Sequence, residues 1–357
     1  MHGHHAGRVA EPQLHSAFVA TLKPGKKFAE YNADKIFNPA SLIKLSTTLY
    51  ALKKLGADYR FPVRVFAAGK IENGVLAGDL YLEGNPPVFN EISAGVIAGE
   101  LKRRGIERVS GKIYVSPRFT FNFHEHADES ARLLAPHLRL KNKPETAVAE
   151  RSAGTELFVF KSYSLREVLL YMNTFSSNFV AHRIGDEIGG AAQVRAFLID
   201  DLGFAPEKIS MQTTSGLEEN AMTAREVFGV LDALAAELEK QGLKPVDVLP
   251  AAGRGTLRNR FAETDLKAAA IGKTGTFSAA DGGIGMASFA GFIYTKNYGP
   301  VAYVLISEGA QTAVHKKLQD EFLKELLQSE VQPAPFETEA KHQLLPSAEL
   351  QIAADDF

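Results

Sequence analysis

Helical periodicity is strongest in a segment near the N-terminus. Its apolar positions recur three or four residues apart, at Leu42, Leu45, Leu49 and Leu52. This spacing places them on one face of a helix. Asn38 is a favourable N-cap, Pro39 suits the first helical position, and Gly56 suits the residue after the last turn. The pattern therefore predicts a helix from Pro39 to the residue before Gly56.

Further segments follow one of the two periodicities. Helical spacing predicts helices over 92–104, 165–175, 191–203, 223–241 and 315–328. Alternating or continuously apolar runs bounded by turn residues predict strands within 17–29, 61–69, 76–84, 111–116, 268–276, 290–295 and 301–307. Residues 122–150 are polar, rich in histidine and without a clear period. The mixture predicts an α/β (α+β) protein.

The order of these elements suggests a discontinuous organisation. We expect 1–59 and 151–330 to form one domain, with a central antiparallel sheet flanked by helices. Residues 60–150 are expected to form a smaller inserted α+β domain with an irregular end. The tail, 331–357, contains three prolines and scattered acidic residues, and we expect it to be disordered.

Composition excludes several classes of protein. With 357 residues, of which 45% are hydrophobic, the chain can bury a sizeable core. A net charge of −2 gives no indication of nucleic-acid binding. The absence of cysteine excludes disulfides, thiol catalysis and cysteine-ligated metals. No apolar run is long enough for a membrane span, and residues 1–13 lack the apolar region of a signal peptide.

Three short motifs carry candidate chemistry, and each occurs once. They are Ser-x-x-Lys at 41–44, Ser-x-Asn at 176–178 and Lys-Thr-Gly-Thr at 273–276. Alone, each is more often an ordinary helix turn, helix cap or strand end. Together they occur in one order and in three matching settings: a helix start, a connection between helices, and a strand. This conjunction favours a catalytic site.

The first motif has the chemistry of an activated serine. Ser41 and Lys44 are three residues apart on a helix and share a face. A serine hydroxyl needs a base to take its proton, and lysine can be that base only if its pKa falls. Burial of Lys44 and a second cation nearby, Lys273, would both lower that pKa. We therefore predict Ser41 as the nucleophile and Lys44 as its base.

The other two motifs supply the remaining roles. Ser176 can pass a proton to the leaving nitrogen, and Asn178 can hold the amide on the acyl side. On a strand, Lys273 and Gly275 face one way and the two threonines the other. Gly275 would let a substrate backbone approach, so that a peptide adds to this strand edge. The backbone amides of Ser41 and Thr276 are the expected oxyanion hole. The hydroxyl of Thr274 and the nearby ammonium suit a free C-terminal carboxylate.

At these residues the chain resembles the serine penicillin-binding proteins and β-lactamases. It is most similar to the class C low-molecular-mass penicillin-binding proteins, which are D-alanyl-D-alanine carboxypeptidases and endopeptidases. The similarity spans roughly 15–328 and includes NPASLIKLSTTLYALKKLGADYRFPV, LLYMNTFSSNFVAHRIG and IGKTGT. It implies a β-lactamase/transpeptidase-like catalytic domain that an insertion splits after the nucleophile helix. It also implies catalytic Ser41, Lys44, Ser176, Asn178 and Lys273, with Thr274, Gly275 and Thr276 binding substrate.

Four positions depart from the family pattern. Asn85 stands where the family usually has aspartate in a Gly-Asp-Pro sequence, and Ser116 where an aspartate follows a strand of the insert. The segment 213–219 begins with Thr213 instead of aspartate and ends with Glu219 instead of arginine. That arginine and the second aspartate help the family read the zwitterionic end of diaminopimelate. The resemblance therefore does not carry that specificity to this chain.

The resemblance implies peptidoglycan stem peptides and β-lactams as partners, and a periplasmic or exported location. We expect no cofactor, metal or nucleic acid. His124 and His126 are more typical of a polar loop than of a metal site. Two alternatives stay open at this point. One is a related hydrolase such as a β-lactamase, an esterase or a D-amino-acid peptidase. The other is a catalytically silent cell-wall binding protein, an alternative motivated by the changes at Asn85, Thr213 and Glu219.

Overall fold

The computed structural model describes residues 13–22, 25–262, 264–277, 285–308, 312–328, 330–336 and 349–352. The chain divides into two compact units. The first unit comprises Met1–Lys54 and Leu169–His342, and the second comprises Leu55–Val168 and Gln343–Phe357. Within the described ranges no helix is both long and apolar enough to cross a membrane.

The strands and helices are numbered in chain order. The strands are β1 (Gln13–Thr21), β2 (Lys27–Tyr31), β3 (Ile36–Phe37), β4 (Arg60–Glu72), β5 (Val75–Gly84), β6 (Arg108–Val109), β7 (Ile113–Val115), β8 (Thr146–Val148), β9 (Thr155–Ser164), β10 (Met222–Thr223), β11 (Ala270–Phe277), β12 (Met286–Thr295), β13 (Gly299–Glu308) and β14 (Glu349–Ile352). The helices are α1 (Ile43–Leu55), α2 (Glu91–Arg103), α3 (Ala127–Leu134), α4 (Leu165–Phe175), α5 (Asn178–Ile188), α6 (Gly190–Asp200), α7 (Ala224–Lys240) and α8 (Thr312–Gln328).

The first unit is built on an antiparallel sheet of order β11-β12-β13-β1-β2. Helices α7 and α8 pack on its strands. β12 and β13 are buried along nearly their whole length, as their continuous apolar sequences require when both faces are covered. The predicted fold class, a central antiparallel sheet flanked by helices, is confirmed. Strand β11 lies at one end of the sheet.

The second unit contains a mixed sheet of order β14-β9-β4-β5-β7-β8, with β6 paired to β5. Its core includes Phe119 and Phe121, which pack with apolar residues of the sheet. The predicted insert limits, 60 and 150, differ from those of this unit. The reason is that β9 is hydrogen-bonded to β4 and so belongs to the second sheet rather than to the unit containing the three motifs.

The described residues include regular structure in two segments that were expected to be irregular. The polar segment 122–150 contains α3, a helix of eight residues in which Ala127, Ala131 and Leu134 are buried and Leu133 also packs against the core. The predicted disorder of the tail does not hold where the tail is described. Phe336 donates its backbone N–H to Ala268 at 3.1 Å, and Glu349–Ile352 pairs with β9. The residues between them lie outside the described ranges.

Helix α1 begins later than its sequence predicts. Ala40–Leu42 forms a 3₁₀ turn, and the α-helix proper starts at Ile43. Ala40 has φ of 49°, a left-handed conformation that an α-helix cannot include. The N-cap of this turn is Pro39 and not Asn38 as predicted; Asn38 lies one residue earlier, and its Oδ1 accepts from the Ala40 N–H at 2.9 Å. Gly56 ends the helix with φ of 81°, as expected.

Candidate active site

Ser41 and Lys44 meet as the spacing of the first motif predicts. Lys44 Nζ lies 3.0 Å from Ser41 Oγ. Ser41 lies in the 3₁₀ turn, and this turn packs closely against a distant part of the chain. Gly216 sits so close to it that a Cβ at that position would come within 1.9 Å of the Ala40 carbonyl oxygen. The serine hydroxyl is therefore held by a tightly packed backbone, which favours a preorganised nucleophile.

The side chain of Lys44 is fully buried, and its ammonium group has three hydrogen-bond acceptors. Besides Ser41, its ammonium donates to Asn178 Oδ1 at 2.7 Å and to the Ser215 carbonyl oxygen at 2.5 Å. All three acceptors are uncharged, so none offsets the loss of hydration. Burial therefore lowers the pKa of Lys44 to about 7. A contribution of Lys273 to this lowered pKa was also expected, but burial accounts for it.

Ser176 is presented by the connection between α4 and α5. Its φ of 54° places it in the left-handed region, which turns the chain between the two helices. Ser177 then caps α5, accepting from the Val180 N–H at 3.3 Å. Asn178 is consequently the first residue of α5, with its side chain directed at Lys44. The predicted position of this motif between two helices is confirmed.

Lys273 pairs with Ser176. Its ammonium donates to Ser176 Oγ at 2.8 Å and to the Thr274 carbonyl oxygen at 2.6 Å. The side chain is fully buried, and its pKa lies well below that of free lysine. Burial is the main cause, and the positive charge of Lys44 adds to it. The site thus contains two buried lysines, each bonded to one serine hydroxyl.

The remaining residues of the third motif divide as strand alternation predicts. Thr274 and Thr276 line a cleft of about 680 Å³ together with Ser41, Ser176 and Asn178. Strand β11 has β12 on one side, and in the described chain its other side carries only an isolated bridge, between Ala251 and Ile271. This edge leaves room for a peptide to pair with the Thr274–Thr276 stretch.

Gly275 has a different role from the predicted one. A Cβ at this position would lie 2.6 Å from the Pro39 carbonyl oxygen and 2.2 Å from Ser288 Oγ. The glycine is therefore required because β11 packs against the turn that carries Ser41. Close approach of a substrate does not explain it.

A loop containing Thr213, Thr214 and Ser215 completes the environment of Lys44. Thr47 Oγ1 donates to the Thr214 carbonyl oxygen at 2.8 Å, and His182 Nε2 lies 2.7 Å from Ser215 Oγ. Thr213, one of the four departures, bonds within this loop and accepts from the Gly216 N–H at 3.1 Å. The departures in segment 213–219 bear on specificity, and nothing in its sequence indicates that it contacts Lys44.

The cleft has further lining residues. Phe175, Arg258 and Lys316 also line the cleft, and none of them was singled out from sequence.

Ser116 lies in the second unit, where its hydroxyl donates to the Gly84 carbonyl oxygen at 2.7 Å. Among the described residues no group of histidine, aspartate and glutamate side chains is arranged to hold a metal ion.

Comparison with known families gives one match that covers most of the chain. The model of the D-Ala-D-Ala carboxypeptidase 3 (S13) family matches residues 5–131 and 118–328. Carboxypeptidase DacB of Mycolicibacterium smegmatis is 26% identical over 371 aligned positions, covering 85% of this chain and 79% of the relative.

Solved structures share the fold. The peptidoglycan endopeptidase Bd3459 of Bdellovibrio bacteriovorus superposes with a TM-score of 0.77 at 19% identity, covering 96% of this chain and 100% of that one. That endopeptidase has also been solved acylated by penicillin G and in complex with the immunity protein Bd3460. Penicillin-binding protein 4 of Haemophilus influenzae gives a TM-score of 0.72 at 17% identity, covering 89% of this chain and 96% of that one.

Proposed function

The chain belongs to the D-Ala-D-Ala carboxypeptidase 3 (S13) family, and on this basis we propose that it is a serine D,D-peptidase that cleaves peptidoglycan stem peptides. The observation that carries the proposal is the pair formed by Ser41 and Lys44. A hydroxyl 3.0 Å from a buried amine whose pKa is about 7 has the geometry and the proton affinity that nucleophilic catalysis needs.

Acylation begins with neutral Lys44. Its amine takes the proton of Ser41 Oγ as that oxygen attacks the carbonyl carbon of the penultimate D-alanine. The carbonyl oxygen becomes an oxyanion, which the backbone N–H groups of Ser41 and Thr276 stabilise. Asn178 holds the substrate amide on the acyl side and keeps Lys44 oriented through its own Oδ1.

Breakdown of the tetrahedral intermediate needs a proton on the leaving nitrogen. Ser176 donates it and receives in its place the proton that Lys44 took from Ser41, so that Lys44 is a neutral amine again, while the bond from Lys273 orients the Ser176 hydroxyl. The C–N bond breaks, an amine leaves, and an ester on Ser41 remains. Water then attacks this ester with Lys44 as base, releasing a carboxylic acid and restoring the serine hydroxyl. The net reaction is hydrolysis of one peptide bond.

The same chemistry covers carboxypeptidase and endopeptidase activity, which differ only in the amine that leaves. Thr274 and Thr276 line the cleft and suit the carboxylate that follows the scissile bond. β-Lactams would acylate Ser41 as substrate analogues, as penicillin G does in the solved Bdellovibrio endopeptidase. Peptidoglycan as substrate places the protein's action in the periplasm or outside the cell.

Muropeptide digestion tests the proposal. The protein is incubated with a monomeric pentapeptide muropeptide and with a D,D-cross-linked dimer, and the products are separated by liquid chromatography and identified by mass. We expect loss of D-alanine from the monomer, cleavage of the dimer, or both, with no product from Ser41→Ala. Intact substrates with the wild-type protein would favour a catalytically silent binding protein instead.

A further inference from the structure

A second cavity, of about 630 Å³, lies between the segment preceding β11 and helix α8. We call it the basic groove. Its basic lining consists of five side chains, Arg258, Arg260, Lys316, Lys317 and Lys324. Two acidic side chains, Asp320 and Glu321, also line it. The groove therefore has an excess of positive charge, in a chain whose overall charge is −2.

Each acidic side chain of the basic groove already lies next to a basic side chain. Asp320 accepts from Arg260 Nε at 2.7 Å, and Glu321 lies 3.7 Å from Lys317. Within the described ranges, by contrast, no ion pair engages Arg258, Lys316 or Lys324. The positive charges of these three side chains are therefore available to bind an anionic ligand. In a peptide substrate the anionic groups are carboxylates.

The basic groove is continuous with the catalytic cleft. Thr256, Arg258 and Lys316 line both cavities. The turn Gly255–Leu257 also packs against the end of α4, since a Cβ at Gly255 would lie 2.2 Å from the Thr174 carbonyl oxygen. Thr174 is the penultimate residue of α4, two positions before Ser176, the residue proposed to protonate the leaving amine. The basic groove therefore joins the cleft near Ser176, next to the position that the leaving amine of a substrate would occupy.

The length of the basic groove excludes a single amino acid as its full occupant. Lys316 and Lys324 are eight residues apart on α8, which corresponds to about 12 Å along the helix. One extended residue spans only about 3.5 Å. A released D-alanine, whose carboxylate would sit at Thr274 and Thr276, is too short to reach Lys324. The leaving strand of a cross-linked stem peptide is long enough, and it bears further carboxylates.

We propose that the basic groove binds the carboxylate-bearing leaving strand of a cross-linked stem peptide, so that the chain favours endopeptidase cleavage over release of one D-alanine. This inference rests on the proposed D,D-peptidase function. Lys316 lies where the groove meets the cleft, and Lys324 interacts only with the more distant part of the strand.

Specificity constants for two substrates test this assignment. kcat/KM is measured for a cross-linked dimer and a monomeric pentapeptide muropeptide, with the wild type, Lys324→Glu and Lys316→Glu. The matched control is Lys240→Glu, an exposed lysine at the end of α7 outside both cavities. We expect the dimer-to-monomer ratio to fall about fivefold in Lys324→Glu, the size expected for a partly exposed charge contact, and further in Lys316→Glu. The control ratio should stay at the wild-type value.

The salt dependence gives a second readout on the unmodified protein. Because exposed charges are screened, added salt should lower kcat/KM more steeply for the dimer than for the monomer, and this difference should shrink in Lys324→Glu. An unchanged ratio in both groove variants, with a wild type that cleaves muropeptides, overturns the groove assignment alone. A wild type that cleaves neither substrate and forms no acyl-enzyme overturns the proposed function and the groove assignment together.

Discussion

The Lys44 ammonium nitrogen lies 3.0 Å from Ser41 Oγ, in a side chain with no solvent exposure. A buried lysine surrounded by neutral acceptors loses hydration without gaining a counter-charge, so its pKa falls. At neutral pH a substantial fraction of Lys44 is therefore an amine able to accept the serine proton. This relationship accounts for the most specific predictions of the mechanism.

The pH dependence of acylation follows from the pKa of Lys44. Below about 7 the side chain is protonated and cannot act as a base, so the acylation rate constant should fall about tenfold per pH unit. Above about 7 it should level off. Stopped-flow or quenched acylation by a β-lactam, followed by mass across the pH range, measures this. Lys44→Arg, which stays charged, should be inactive at every pH. A wild-type profile that is flat through neutrality would argue against Lys44 as the base.

Substitution of two adjacent serines, Ser176 and Ser177, should have different effects: the first on activity and the second on stability. Ser176→Ala removes the proton donor to the leaving group and should slow peptide hydrolysis by about 10²–10⁴-fold with little change in Tm. Ser177→Ala removes the cap of α5 and should cost about 1 kcal/mol of folding free energy while keeping most activity. Muropeptide turnover and thermal unfolding of both variants provide the comparison. Equal activity losses in the two variants would contradict the role given to Ser176.

Gly275→Ala should damage both fold and activity. The added methyl group would meet the Pro39 carbonyl oxygen at 2.6 Å, which pushes β11 away from the turn that carries Ser41. We expect a loss of about 1–3 kcal/mol in unfolding free energy, measured by urea titration, together with slower acylation. Gly99→Ala is the matched control, because a Cβ there meets nothing within 4 Å on helix α2. Wild-type stability of Gly275→Ala would refute this packing.

The sequence predicted the local geometry of the motifs because spacing and alternation are local properties. The spacing of Ser41 and Lys44, and the alternation of Thr274 and Thr276 on a strand, both follow from helix and strand geometry. The pairings of Asn178 with Lys44 and of Ser176 with Lys273 join residues about a hundred positions apart. Residue periodicity carries no information on such contacts, so the sequence did not predict these two pairings.

Other features depend on tertiary packing and escaped the sequence. The left-handed Ala40, which delays the helix, is held by close approach of Gly216 from a distant loop. The need for glycine at 275 comes from Pro39 and Ser288, which no strand pattern reveals. The pairing of Glu349–Ile352 with β9 likewise joins the C-terminal tail to the second sheet, against the disorder that its composition predicted.

The most direct test of the account is the intact mass of the protein after exposure to benzylpenicillin, beside Ser41→Ala. We predict a stable increase equal to the mass of the drug in the wild type and none in the variant. Peptide mapping should place the adduct on the peptide that contains Ser41. An adduct that persists in Ser41→Ala, or a wild type that remains unmodified while the drug stays intact, would contradict Ser41 as the activated nucleophile of this site.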